Sequence, residues 1–319
     1  MSATALDIVC LGEPMVEFTR IDDPDGRPIY LQGFGGDTSN CAIAAARQGA
    51  RVGYITALGD DRFGDMYLGL WRAEGIDVSG VARDPDAPTA AYFIQPVAEG
   101  RDFTYYRKGS AASRMTPETL PVAMIEQAGY LAVSAISQAI SETALATVDR
   151  AIDIARAAGV KVAYDTNLRL NLWDLETARS VIHDTARRAD ILLPSLDEAR
   201  LLSGVEDLDA VMDFYAGMGA EVLALKCGEM GAVVEARGER RRFLPPAVTV
   251  VDTSGAGDTF VGSFLARLAA GDDPFAAVAY GVTAASLSTQ GFGAVEPIPR
   301  AGVVSAFQQS GADGGQHSA

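Results

Sequence analysis

Histidine is almost missing from this chain: of its 319 residues only His183 and His317 carry an imidazole. A Ser-His-Asp triad or a His-rich zinc centre therefore has little to draw on. Cysteine is nearly as scarce. Cys10, Cys41 and Cys227 are odd in number and far apart, which excludes a disulfide framework and a Cys-x-x-Cys metal site and leaves them as small buried hydrophobes. Positive charge is short too, with 26 Lys and Arg against 42 Asp and Glu and a formal net charge of −16. Nucleic acid and membrane surfaces both ask for a basic face, so neither is an expected partner. A nucleotide whose phosphates arrive with Mg2+ stays open. No apolar run approaches the length that spans a bilayer and no signal peptide is visible, so the expected setting is cytoplasmic.

What is present is a soluble globular composition, 48% hydrophobic and 21% charged, in which strands and helices alternate. Strands are expected at Leu6–Leu11, Val52–Ala57, Tyr130–Val133, Val160–Tyr164, Ile191–Leu193 and Val222–Leu225. Between and after them fall helices at Asp37–Gln48 (capped by Asp37 or Thr38), Gly64–Glu74, Ser141–Ala158, Glu176–Arg188, Asp207–Met218, Gly257–Ala270 and Pro274–Ser288. The implied fold is α/β: a doubly wound, mainly parallel sheet with helices on both faces. Ile29–Gln32 and Ala90–Arg107 break the rhythm as strands with no helix between them, the second a hairpin turning at Glu99-Gly100-Arg101-Asp102. They read as a small β-sheet lid, drawn from about residues 14–35 and 88–108, on a single domain of residues 1–308. The Gly/Ser/Ala-rich segment 309–319 is expected to be disordered.

The densest chemical signal is Asp252-Thr-Ser-Gly-Ala-Gly-Asp258, just before a helix. Gly255 and Gly257 let backbone N–H groups converge at a positive helix end, which is an anion site. Asp258 inside such a site reads as a base beside a phosphate; a Gly-rich turn with Asp258 merely stabilised by the dipole is the other reading, and residue types alone leave both open. A Walker A motif is absent, and Gly33-Phe-Gly-Gly36 lacks the third glycine of a dinucleotide fingerprint.

The pair Gly35-Gly-Asp-Thr-Ser-Asn40 and Asp252-Thr-Ser-Gly-Ala-Gly-Asp-Thr-Phe260 resembles the two signatures of the ribokinase-like (PfkB-type) sugar kinases, over nearly the whole chain. That resemblance implies a ribokinase-like fold and ATP-dependent phosphorylation of a sugar hydroxyl. Leu11-Gly-Glu-Pro-Met-Val-Glu-Phe18, Tyr105-Tyr-Arg-Lys-Gly-Ser-Ala111 and Asp165-Thr-Asn-Leu-Arg169 are similar to the branch that acts on 2-keto-3-deoxygluconate, and Arg107 and Arg169 are natural partners for that sugar acid's carboxylate. The resemblance further implies a base, Asp258, over an oxyanion site formed by Gly255, Ala256 and Gly257. The sugar-acid contacts it implies are Gly36, Asn40, Tyr92, Tyr105, Arg107, Ile136 and Arg169. ATP would lie over Asn167, Ser195, Lys226, Gly228, Gly231, Gly255 and Gly257, with Mg2+ organised through water by Glu198 and K+ near Asp252 and Ser254. Lys226 can either offer charge to phosphate or snorkel from a strand end. Ser195 stands where many relatives have Asn, and Gln290–Ala294 lacks an Asp that some relatives place near the substrate. Fructose, ketodeoxygalactonate and 5-keto-2-deoxygluconate are alternative acceptors, and a non-catalytic sugar or nucleotide sensor is a reading from another class. Exposed lid edges favour a homo-oligomer, a dimer or larger.

Overall fold

A computed structural model describes residues 6–97 and 100–314. In chain order it runs β1 (Leu6–Leu11), β2 (Met15–Asp22), β3 (Pro28–Gly35), α1 (Asp37–Arg47), β4 (Val52–Gly59), α2 (Arg62–Ala73), β5 (Val81–Asp84), β6 (Ala90–Val97) and β7 (Gly100–Tyr106). Then come α3 (Val122–Glu126), β8 (Ala128–Ser134), α4 (Ala135–Ala139), α5 (Glu142–Ala158), β9 (Lys161–Asp165), α6 (Leu175–Ala186), β10 (Ile191–Leu192), α7 (Leu196–Ser203) and α8 (Leu208–Ala216). The chain continues through β11 (Val222–Lys226), β12 (Ala232–Ala236), β13 (Glu239–Phe243), α9 (Ala256–Ala269), α10 (Pro274–Ser288) and α11 (Ala301–Gly314).

Among the described residues the strands form a nine-stranded sheet in the order β13-β12-β11-β10-β9-β8-β1-β4-β5 and a four-stranded sheet in the order β3-β2-β6-β7. The large sheet is parallel from β5 to β11 and antiparallel only at β11-β12-β13. Because side chains alternate along a strand, the central β1 feeds two cores. Val9 and Leu11 pack on one face with α5 to α8, while Ile8 and Cys10 pack on the other with α1, α2, α9 and α10. This is the doubly wound α/β arrangement, and all three cysteines are buried in it.

Local chemistry sets the helix ends that matter. Ser141 accepts from Ala144 N to start α5, and Gly159 in the left-handed region ends it. The sheet's chain order reverses between β1 and β8, so ligands should gather beyond the carboxyl ends of these strands. The small sheet stands over that edge, joined to the body by the β1–β2 crossing at Gly12–Pro14 and by the segment after β7.

Three expectations are corrected. The expected turn at Glu99–Asp102 is shifted: Gln95 pairs with Asp102, Pro96 with Arg101 and Val97 with Gly100, so Gly100–Asp102 belong to the strand, and residues 98–99 lie outside the described residues. The segment from Gln309, expected to be disordered, is helical through Gly314 as the last turns of α11, although Ser310, Gly311, Asp313 and Gly314 are weak helix formers; residues 315–319 lie outside the described residues. The cap of α1 is Gly36, not Asp37 or Thr38, and no side chain caps it. A hairpin arm, β12 and β13, was also missed: Glu239–Phe243 is a charged run whose arginines face solvent at a sheet edge, so no alternation betrays it.

Candidate active site

The lid and the carboxyl ends of β1, β8 and β9 enclose a cavity of about 190 Å³. Gly36, Asn40, Tyr92, Tyr105, Arg107, Ile136 and Arg169 line it together with Asp258, Gly255, Asn167 and Ser254. Every residue expected to touch the sugar thus meets at one place, although their positions run from Gly36 to Arg169. On the lid, alternation puts Tyr92 and Ile94 of β6 opposite Tyr105 and Phe103 of β7, and these four form the apolar wall. Tyr92 stacks on Tyr105 with centroids 5.7 Å apart. Arg107 lies one residue past β7, over the Tyr105 ring at 5.8 Å.

Two glycines are required by the backbone. Gly36 has φ of 100°, and a Cβ there would lie 2.6 Å from the Glu13 carbonyl oxygen. Gly255 has φ of 70° and sits against Ala294, whose carbonyl oxygen would be 2.8 Å from a Cβ. Gly255 opens α9 with no side-chain cap, so the N–H groups of its first turn are left for a ligand. A Cβ on Gly257 would meet only Lys226 Nζ, at 3.9 Å, so this helix end has an open cradle with an ammonium beside it. The donor set fits a phosphate.

Asp258 occupies the first turn of α9. Its Oδ2 accepts from Asn40 Nδ2 at 2.8 Å. Burial pushes its pKa up to about 7; the charge of Asp37 adds to the rise, the Asn40 hydrogen bond opposes it, Asp165 adds to it and Lys226 opposes it. A carboxylate with that proton affinity is suited to general base work near neutrality.

The charges around it are mostly paired. Lys226 Nζ lies 2.6 Å from Asp165 Oδ2, so it neither simply snorkels nor stands as a free cation. Arg107 Nε donates to Glu13 Oε2 at 2.8 Å, its Nη2 lies 2.5 Å from the same oxygen, and Ser110 Oγ donates to Glu13 Oε1 at 2.5 Å. Glu13 is wholly buried, which raises its pKa against the opposing field of Arg107. Arg169 Nη1 donates to the Leu168 carbonyl and to Glu198 Oε1, at 2.7 and 3.2 Å, and its side chain is 44% exposed. Glu198 Oε2 is buried with no hydrogen-bond partner, an acceptor suited to a metal-bound water, and burial raises its pKa. Among the described residues no three His, Cys, Asp or Glu side chains converge to hold a metal directly.

Of the residues expected at the nucleotide, Gly255 and Asn167 line the cavity, while Ser195, Lys226, Gly228 and Gly231 do not. Ser195 bridges to Lys226, and Gly228 and Gly231 flank the turn between β11 and β12. Asn167 lines the sugar cavity instead of joining them. Asp252 organises its loop, with Oδ1 accepting from Ser254 N and Oγ and Oδ2 accepting from Gly293 N. Sequence reasoning missed Glu13, Glu17, Asp37 and Asp165 as participants. Glu17 lines the cavity and accepts from Tyr92 Oη and Thr19 Oγ1. Each lies inside a stretch singled out for its resemblance, but each also has a partner far away in sequence: Arg107, Tyr92, Ser134 and Lys226 in turn.

A family model for "pfkB family carbohydrate kinase" matches residues 5–301. The chain belongs to the pfkB family of carbohydrate kinases. It is 34% identical to a 2-dehydro-3-deoxygluconokinase of Thermoproteus tenax over 301 residues, 92% of this chain and 91% of the relative. A fructokinase-1 of Oryza sativa is 35% identical over 270 residues, 82% of each chain. Among solved structures, a PfkB protein from Polaromonas superposes with a TM-score of 0.84 at 32% identity, covering 95% of this kinase and all of that chain. A fructokinase from Xylella fastidiosa with bound ATP gives a TM-score of 0.87 at 25% identity, covering 96% and 99%. The ribokinase-like fold expected from the motifs is therefore the fold of this kinase, and no helix among its described residues is long and apolar enough to cross a membrane.

Proposed function

We propose that this kinase transfers the γ-phosphoryl group of ATP to the C6 hydroxyl of 2-keto-3-deoxygluconate, with Asp258 as general base. The observation that carries the reading is the placement of Asp258 at an uncapped helix start, facing a cavity that Arg107 and Arg169 also line. The sugar acid would lie against the Tyr92–Tyr105 wall, with its carboxylate toward the arginines and its hydroxyl toward Asp258. Asp258 takes the hydroxyl proton as the sugar oxygen attacks the γ-phosphorus, and the N–H groups of Gly255, Ala256 and Gly257 take up charge on the phosphoryl oxygens. Mg2+ arriving with the nucleotide would offset phosphate charge, with Glu198 holding it through water. Lid closure over the cavity excludes water and limits futile hydrolysis. K+ near Asp252 and Ser254 belongs to the same reading, and activity in KCl against NaCl tests it.

A second reading is a fructokinase. Glu13 neutralises Arg107 by direct contact, which leaves the partly exposed Arg169 as the main cation for a carboxylate, and plant fructokinases are as similar in sequence as the sugar-acid kinases. Coupled ADP release with MgATP decides between them, using ketodeoxygluconate, its galactonate epimer, 5-keto-2-deoxygluconate, fructose and ribose. A kcat/KM for ketodeoxygluconate at least about tenfold above the neutral sugars, a gap of about 1.4 kcal/mol, supports the sugar-acid reading. A preference for fructose replaces it with the second reading, and no turnover with any acceptor overturns both.

A further inference from the structure

We propose that Asp37 is a positioning residue for phosphoryl transfer, a second carboxylate in contact with no cation, whose charge makes Asp258 a stronger base. The inference rests on the reading of Asp258 as the base. Its ground is the way two helices are locked together. Asp37 opens α1 and Asp258 lies in the first turn of α9, and both line the same cavity. One turn further along, at Cys41 and Gly262, the helices touch: a Cβ on Gly262 would lie 2.2 Å from the Cys41 carbonyl oxygen. Residues four apart share a helix face, so Asp37 and Asp258 sit one turn before this contact on the facing surfaces. Asn40, on the next turn of α1, closes the arrangement with its hydrogen bond to Asp258. The two aspartates also line a second, smaller cavity with Ser134 and Asp165.

The charges facing Asp258 are Asp37 and the Cys41 thiol on α1, Asp165 on β9 and Lys226 on β11, with Glu17, Arg107 and Arg169 across the cavity. Asp165 is in contact with Lys226, so its charge is largely balanced where it stands. Asp37 touches no cation among the described residues: burial raises its own pKa, hydrogen bonds from Ser134 and the Thr38 N–H oppose that rise, Asp165 adds to it, and Arg107 opposes it only from across the cavity. The Asp37 Oδ2 accepts from Ser134 Oγ, and its Oδ1 is buried with no hydrogen-bond partner. A buried carboxylate oxygen left unpaired is costly, and a site keeps one where the field it exerts is useful. The field of Asp37 favours the protonated form of Asp258. In the transfer, the sugar O–H bond breaks and its proton goes to Asp258. The freed electron pair bonds the γ-phosphorus as the bond from phosphorus to the ADP oxygen breaks, and a base held beside a like charge takes that proton more readily.

The test is Asp37→Asn, which keeps the shape and an acceptor for Ser134 while removing the charge. In the wild type, kcat should rise with pH through a limb near 7, the value to which burial and its neighbours push Asp258. In Asp37→Asn that limb moves to lower pH, so that kcat at pH 6, relative to its own plateau, rises about three- to fivefold, while the plateau itself falls because the base is weaker. A merely structural Asp37 would lower kcat or Tm and leave the limb in place. A direct readout needs no turnover: 13C-NMR titration of carboxyl-labelled aspartates in the apoenzyme, with the Asp258 signal assigned by its loss in Asp258→Asn. A lower midpoint in Asp37→Asn supports the proposal, and an unchanged midpoint overturns it. Should Asp37→Asn fold poorly, Asp37→Ser carries the same titration. Failure of the base reading looks different, since Asp258→Asn would then retain turnover whatever Asp37 does.

Discussion

Asn40 Nδ2 donates to Asp258 Oδ2 at 2.8 Å, joining residues 218 positions apart in the chain. The bond ties the first signature motif to the second and favours the ionised carboxylate, since a donor to a charged oxygen lowers its proton affinity. It works against burial and the neighbouring acids. Asn40→Ala should therefore raise the pKa of Asp258 and move the acid limb of kcat to higher pH, opposite to the effect of Asp37→Asn. Loss of orientation should also cost about tenfold in kcat at pH 8, and a kcat–pH profile of the variant checks both.

The burial that would make Asp258 a base also bears on stability. Its pKa in the folded protein, about 7, lies above the usual carboxylate value near about 4, so the folded state holds this proton more tightly than the unfolded chain does. Between these values the folded state binds more protons, so this residue's contribution to stability falls as pH rises, and the full penalty is present above 7. Asp258→Asn should then raise Tm by a few degrees at pH 8.5 and change it little at pH 4.5, while kcat falls by about 10²–10⁴-fold. Thermal scans of wild type and variant at the two pH values test the sign.

Much of this site was legible in the sequence because its parts are local. Leu6–Leu11 and Val222–Lys226 are short apolar runs at strand length, and the turn before α9 needs glycine at Gly255 for its left-handed backbone. Alternation along a strand places Tyr92 with Ile94, and Phe103 with Tyr105, on common faces, and the cavity wall is built from those four. Glu13 and Asp37 were not legible, because nothing near them specifies their role. Glu13 acquires its partner Arg107 only when the segment after β7 returns to the β1–β2 crossing, and Asp37 meets Ser134 only when β8 pairs with β1. Arg107 read as a free clamp for the same reason: its counter-ion lies 94 residues upstream.

That pairing separates the two arginines experimentally. Arg169 is 44% exposed and sits at the open side of its pair with Glu198, so Arg169→Ala should fold. If it holds the substrate carboxylate, KM for the sugar acid should rise about 10- to 100-fold with little change for a neutral sugar, the range for a lost charge-assisted bond. Arg107→Ala should instead leave Glu13 buried without its cation and destabilise the fold by about 3–5 kcal/mol. The double variant Arg107→Ala/Glu13→Gln should recover much of that loss without restoring activity. Equal stability of the two single variants would contradict the buried pairing.

The lid carries more apolar surface than the cavity uses. On the face that bears Tyr92 and Tyr105, register also aligns Leu31, Thr19, Ile94 and Phe103 in one row across the four strands, with Ile29 beside it. Ile29, Leu31 and Phe103 are 43%, 46% and 44% exposed, and the β3 and β7 edges offer unpaired backbone groups. An apolar row on a two-edged sheet is self-complementary, so a second copy of the chain packed lid to lid is the expected partner. Light scattering behind size exclusion should give a dimer or larger assembly at micromolar concentration. Leu31→Asp, which places a charge in the centre of the row and far from Asp258 in sequence, should yield monomers that keep the Tm of the body within a few degrees. Because the same row continues into the cavity wall at Ile94 and Phe103, those monomers should also bind the sugar more weakly, raising KM by several-fold with kcat less affected. A wild-type protein that runs as a monomer at every concentration would remove the lid from the interface and leave its apolar row to the substrate alone.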